Sequence, residues 1–177
     1  MLSRDIDPGN QRSLMAETEH RGIPSVGGRE NIAGPSVVAY TTEDDQYHSV
    51  REAARAHARE DGCVMILYAA DAAGFMSEPM PNAIDAEGAE DRFGDRLGLA
   101  DLEYLGRSAI AGQVAEERAA GARAAAWLPK GHGVQALAEY AVSVSAHRLF
   151  LPDKLGPYDE SVTASGIEIQ VVDTPPD

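Results

Sequence analysis

Five consecutive apolar residues, Val64-Met-Ile-Leu-Tyr68, follow Gly62 closely and show no alternation with polar residues. A strand with one face in water alternates, whereas a strand that does not must be covered on both faces. The chain therefore has to supply helices to both sides of a sheet. The residues just before supply one. Val50, Ala53, Ala54, His57 and Ala58 recur at intervals of three and four, and Gly62 is a C-terminal stop. Ahead of that helix, Ser36-Val-Val-Ala-Tyr40 reads as a short strand, and Thr42-Glu-Asp-Asp45 offers side-chain oxygens for an N-cap. Strand, helix and buried strand make a βαβ unit.

The pattern continues along the chain. A Gly- and Pro-punctuated acidic loop fills 74–98, and a single helix is expected from Leu99 to Gly121, with Leu102, Leu105, Ala109, Ile110 and Val114 on one face. Ala124–Leu128 reads as a third strand. Val134, Leu137, Ala138, Ala141 and Val142 mark a third helix, and Arg148–Leu151 a fourth strand. Beyond Pro152 lie a turn-rich stretch and a short helix near Asp159–Ala164. In Ile167–Val172, Glu168 and Gln170 alternate with Ile167, Ile169 and Val171, as in an edge strand. The expectation is an α/β protein: a five-stranded, mainly parallel sheet with helices on both faces. Residues 36–173 form this domain, and 1–35, Gly- and Pro-rich without periodicity, form an N-terminal arm.

Charge excludes some partners. Fifteen Lys plus Arg stand against 29 Asp plus Glu, a net charge of −14, which disfavours nucleic acid and anionic membrane surfaces as partners. Cys63 is the single cysteine, and no uncharged apolar run approaches the ~18 residues of a membrane helix. A cytoplasmic location is expected. The histidines at 20, 48, 57, 132 and 147 show no HxxxH pair and no carboxylate at zinc spacing, so no metal site is expected. Cys63 has no recognisable His partner and no serine sits in G-x-S-x-G, so no catalytic residue and no enzyme is expected. Arg51, Arg55 and Arg59, four apart beside Glu52 and Glu60, read as a solvated helix face. Gly131-His-Gly-Val-Gln-Ala136, with Asp153 twenty residues beyond Gly133, matches G-x-G-x-x-A. Pro129 and Lys130 separate it from its strand, which favours a plain strand-to-helix bend over a dinucleotide site.

Three segments in order, Val37–Gly74, Gly98–Gly156 and Gly166–Pro175, resemble the universal stress protein family over residues 36–173. The resemblance implies strand order 3-2-1-4-5, a homodimer formed through the last strand, and a stress-linked regulatory or protein-interaction role with an unidentified protein partner. It also implies a switch-point pocket near Thr41, Thr42, Pro152, Asp153 and Gly156. Nucleotide-binding members of the family carry an Asp where this chain has Thr41. They also carry Gly-x2-Gly-x9-Gly-Ser/Thr, where the spacing here gives Asp153, Gly156 and Gly166 followed by Ile167. With an acid in place of the first glycine, ATP and AMP are expected to bind weakly or not at all. An ATP or AMP sensor and a dinucleotide-binding protein are the alternatives.

Overall fold

A computed structural model describes residues 32–71, 96–129, 134–155 and 166–175. Most of the arm, the acidic loop, the Gly131–Gly133 bend, Gly156 and the short helix expected at Asp159–Ala164 lie outside them. The elements in chain order are β1 (Ser36–Thr41), α1 (His48–Asp61), β2 (Val64–Ala69), α2 (Leu99–Tyr104), α3 (Ser108–Ala119), β3 (Arg123–Trp127), α4 (Val134–Ser143), β4 (Ala146–Pro152) and β5 (Glu168–Val172). The strands form one sheet in the order β3-β2-β1-β4-β5, and every pairing is parallel.

Each residue of β2 is buried, as its unbroken apolar run requires. The two connections leading from β1 to β3 step in the same direction across the sheet, and right-handed crossovers then place α1 and α3 on one face. The connection from β3 to β4 steps back, which puts α4 on the other. There Trp127 stacks on Tyr140 with ring centroids 5.3 Å apart and planes 3° off parallel. The Ser36 hydroxyl donates to the Val144 carbonyl at the end of the same helix. At the β3 edge, Leu97 exchanges backbone hydrogen bonds with Ala126, an isolated antiparallel bridge. β5 forms the opposite edge, and its Val171 is 48% exposed.

Several expectations need correction. The helix foreseen from Leu99 to Gly121 is two helices, because Gly106 adopts φ +71° and the Arg107 N–H turns back to the Leu102 carbonyl. The apolar spacing runs across this break, which hides it from a periodicity argument. Val142 is exposed, and the inward face of α4 is completed by Tyr140 and Val144. Thr42–Asp45 forms a turn, closed by Asp45 N–H to Thr42 C=O, and α1 begins after Tyr47 without a side-chain cap.

Two glycines should respond oppositely to Ala. Gly62 sits at φ +69°, where a Cβ meets no atom within 4 Å but the backbone disfavours it, while Gly112 lies within α3, also with nothing within 4 Å. Gly62→Ala should lower unfolding free energy by about 1–2 kcal/mol, and Gly112→Ala should raise it by roughly 0.5–1 kcal/mol. Urea denaturation of the two variants checks both signs.

Candidate functional site at the carboxyl ends of the strands

In an open parallel sheet, the strands on either side of the switch in strand order diverge and leave a crevice at their carboxyl ends. Here those strands are β1 and β4. Their pairing stops at Ala39–Phe150, short of Thr41 and Pro152, while β1 and β2 remain paired through Thr41–Ala69. Four of the five expected site residues thus fall at this end: Thr41 closes β1 and Thr42 follows it, Pro152 closes β4, and Asp153 starts a short 3-10 turn. Gly156 lies outside the described residues.

The side chains there bond to the protein itself. Thr41 is fully buried, and its hydroxyl donates 2.7 Å to Gln113 Oε1 on α3. Gln113 Nε2 donates in turn to the Thr42 carbonyl at 2.7 Å. The Thr42 hydroxyl donates to Asp44, which with two bonds from Gln46 holds the Asp44 carboxyl below its ordinary range. Asp71, just past β2, accepts the Glu43 N–H on both carboxylate oxygens at 3.0 Å and so ties the β1–α1 turn to its neighbour. Glu43 accepts from Arg107 Nη1 at 2.9 Å.

At the end of β4, the Asp153 carboxylate accepts the hydroxyl of Thr174 at 2.6 Å and its N–H at 3.1 Å. These two bonds pull its carboxyl below the ordinary value of 3.8. Lys154 Nζ donates to the Pro175 carbonyl, and the Ser49 hydroxyl donates to the Asp173 carbonyl. The segment after β5 is thereby laced to the start of α1 and to the turn after β4. Both bonds from Thr174 fall on Asp153 Oδ1, so this oxygen holds the segment after β5. On the α4 side, burial pushes the Tyr68 phenol up to about 12, so it is neutral at physiological pH.

Gln113 was not foreseen in the sequence, and neither was the cluster one turn beyond it. Arg51, expected on a solvated face, is fully buried between α1 and α3. Its guanidinium donates to both Asp45 oxygens, at 2.8 and 2.7 Å, to Glu116 Oε2 at 2.9 Å, and through a short contact to buried Glu117. Arg55 Nη1 reaches the other Glu117 oxygen at 3.2 Å. Burial works to lower the Arg51 pKa, but its bonds to Asp45 and Glu116 and the charges of Asp45 and Glu117 outweigh that effect and raise it. Burial pushes the Glu117 carboxyl upward, against the pull of Arg51 and Arg55. A signal existed: Ile110, Gln113, Val114 and Glu117 share helical spacing, so two polar residues stand on the inward face of α3.

At the amino-terminal end of the sheet, two further readings need correction. Cys63 has a His neighbour, with Sγ 3.6 Å from His147 Nε2. His57 has a carboxylate four residues on, with Nε2 3.3 Å from Asp61 Oδ2.

No protein-family model matches the chain, and no curated protein matches it significantly. Solved structures do. A universal stress protein in complex with cAMP matches at TM-score 0.51 and 21% identity, over 80% of this chain and 98% of that one. The fold is that of a universal stress protein. Two structures of a universal stress protein from Archaeoglobus fulgidus, one in complex with dAMP, match at TM-score 0.46. Their identities are 16 and 17%, over 79 and 81% of this chain and 98 and 99% of theirs. Likeness at these identities is likeness of fold, and the strand order of the universal stress proteins is the one observed here.

Removing Arg51 should leave buried Glu117 with only the longer Arg55 contact, so Arg51→Ala is expected to destabilise the protein by about 3 kcal/mol, while the double change Arg51→Met with Glu117→Leu recovers most of that loss. Chemical denaturation of the single and double variants measures the difference. Asp153 supplies a pH test. Because its folded pKa is depressed, its contribution is present above the ordinary carboxylate value and is lost as pH falls through the folded value. The Thr174 amide resonance should titrate with a midpoint below 3.8 and stop doing so in Asp153→Asn.

Proposed function

We propose that this chain is a stress-linked regulatory or protein-interaction module built on the universal stress protein fold, cytoplasmic, catalysing no reaction and binding neither ATP nor AMP at micromolar concentrations. The observation that carries the reading is the closed relay of Thr41, Gln113 and Thr42 at the end of β1. A nucleotide seated in the crevice needs unsatisfied donors and acceptors at this point, and here the inward hydroxyl and the first carbonyl after the strand already have partners. Around them lie Glu43, Asp44, Asp71 and Asp153, a carboxylate-rich rim that opposes phosphate within a chain of net charge −14.

The nucleotide-sensor reading draws its support from the cAMP-bound structural neighbour. The dinucleotide reading rests on Gly131 and Gly133, which lie outside the described residues. The homodimer is part of the proposal. Ile169 and Val172 are half-buried and Val171 is exposed on β5, so a second copy meeting this edge would cover apolar side chains and unpaired backbone groups. No helix among the described residues is long and apolar enough to cross a membrane.

Titration calorimetry with ATP, AMP and cAMP in turn should give no saturable heat at ligand concentrations up to about 100 μM. Micromolar binding of any of the three would replace this reading with the sensor. Sedimentation velocity should show a dimer at tens of micromolar, and Val171→Lys should shift it to monomer.

A further inference from the structure

We propose that His57, Asp61, His147 and Cys63 form a binding site for a divalent transition metal, zinc by its donor set, at the amino-terminal pole of the sheet. His57 and Asp61 are one turn apart at the end of α1. Gly62 then reverses the chain in the left-handed conformation and delivers Cys63 to the front of β2. His147 arrives from β4. The β1–β4 register passes from Ser36–Ala146 directly to Val37–Arg148, so β4 has one residue more than β1 here, and that residue is His147. A bulge of this kind re-aims a side chain out of the regular alternation.

The donor atoms converge. Those of His57, Asp61 and His147 all lie within 4.8 Å of one another. His57 Nε2 stands 3.3 Å from Asp61 Oδ2, and Cys63 Sγ stands 3.6 Å from His147 Nε2. Tetrahedral zinc, with bonds of about 2.0–2.2 Å to N and O and 2.3 Å to S, sets N···O edges near ~3.4 Å and S···N edges near ~3.6 Å. The His57–Asp61 and Cys63–His147 contacts match two such edges, while Cys63 stands outside the mutual 4.8 Å group and its Sγ has to swing toward His57 and Asp61 to complete the tetrahedron. His57 Nε2 is shielded from water and lacks a well-aligned hydrogen-bond partner despite the nearby carboxylate. Phe150, with its ring centroid 5.7 Å from that of His57, packs against the imidazole.

The surrounding charges are compatible with a dication. Asp61 and a Cys63 thiolate would together balance it. Burial, followed by the Asp61 charge, raises the thiol pKa in the metal-free protein, and a coordinated thiol loses its proton to the metal's charge. Arg148 Nη1 lies 3.3 Å from His57 Nδ1, but the same guanidinium already donates to Glu168 at 2.6 Å and Gln170 at 3.3 Å. With metal on Nε2, the imidazole proton moves to Nδ1, which then faces another donor, so Arg148 Nη1 has to give up this contact and is held by its bonds to β5. Asp45, His48 and Glu116 also bring donor atoms within 4.8 Å of one another. Arg51 already serves as the cation there, with Nη2 within 2.9 Å of a donor atom of each of the three.

The test uses the full chain without a polyhistidine tag. Zn2+ calorimetry should show one site per chain with Kd tighter than about 10 μM. Co2+ should give the intense visible absorption of tetrahedral coordination and a near-ultraviolet thiolate band. Cys63→Ser should abolish the near-ultraviolet band. His147→Ala, at an exposed position, should weaken Zn2+ binding at least about tenfold, and His48→Ala should leave it unchanged. Circular dichroism confirms that each variant is folded. Zn2+ binding weaker than about 10 μM, a Co2+ spectrum without the thiolate band, binding indifferent to His147→Ala, or binding lost in His48→Ala would each overturn the assignment. Because the pocket tested with nucleotides is at the other end of the strands, these outcomes are independent of the proposed function.

Discussion

The buried guanidinium of Arg51 is the constraint around which one side of this protein is arranged. The helices covering that face are rich in alanine, with Ala54 and Ala58 on α1 and Ala111 on α3 turned inward. Small side chains remove little apolar area from water, so helix pairing on this face draws less on burial than leucine-rich packing would. Arg51 and Glu117 occupy the gap as a fully buried ion pair, with Asp45, Glu116 and Arg55 extending the network to the surface. Such a pair adds little net stability over an apolar replacement, but it fixes geometry, because displacing either partner removes the nearest counter-charge from the other in a poorly solvated place.

That fixed geometry reaches the carboxyl end of β1. Gln113 stands one turn before Glu117 on α3, so the contact that sets α3 against α1 also sets the height at which the Gln113 amide meets Thr41 and Thr42. On the opposite flank, Asp153 and Thr174 hold the segment after β5 beside the start of α1. The end of the sheet at which open α/β folds recruit ligands is thus laced by this chain's own polar groups. The donor set able to take a cation lies at the other end, where α1, β2 and β4 meet.

Much of the framework was legible because it depends on neighbours in the chain. The unbroken Val64–Tyr68 run required cover on both faces, the spacing of Val50, Ala54 and Ala58 gave α1, and the alternation after Ile167 marked an edge strand. The break between α2 and α3 was less visible. Gly106 signals it, but Leu102, Leu105, Ala109 and Ile110 keep a helical rhythm across the reversal. Arg51 misled for a related reason: three arginines four apart look solvated until the carboxylates on α3 are known to face them.

The sequence by itself determined the alternation of strands and helices, the double burial of β2, the edge character of β5 and the acidity of the whole, since each follows from composition or from spacing within one element. Only the tertiary structure decided which polar groups meet. Thr41 and Gln113 are separated by 72 residues, Arg51 and Glu117 by 66, and Cys63 and His147 by 84. Those meetings depend on strand order, on register and on a single bulge before Arg148. Periodicity reports which face of an element is turned inward, but the partner waiting there is set by the packing of elements far apart in the chain.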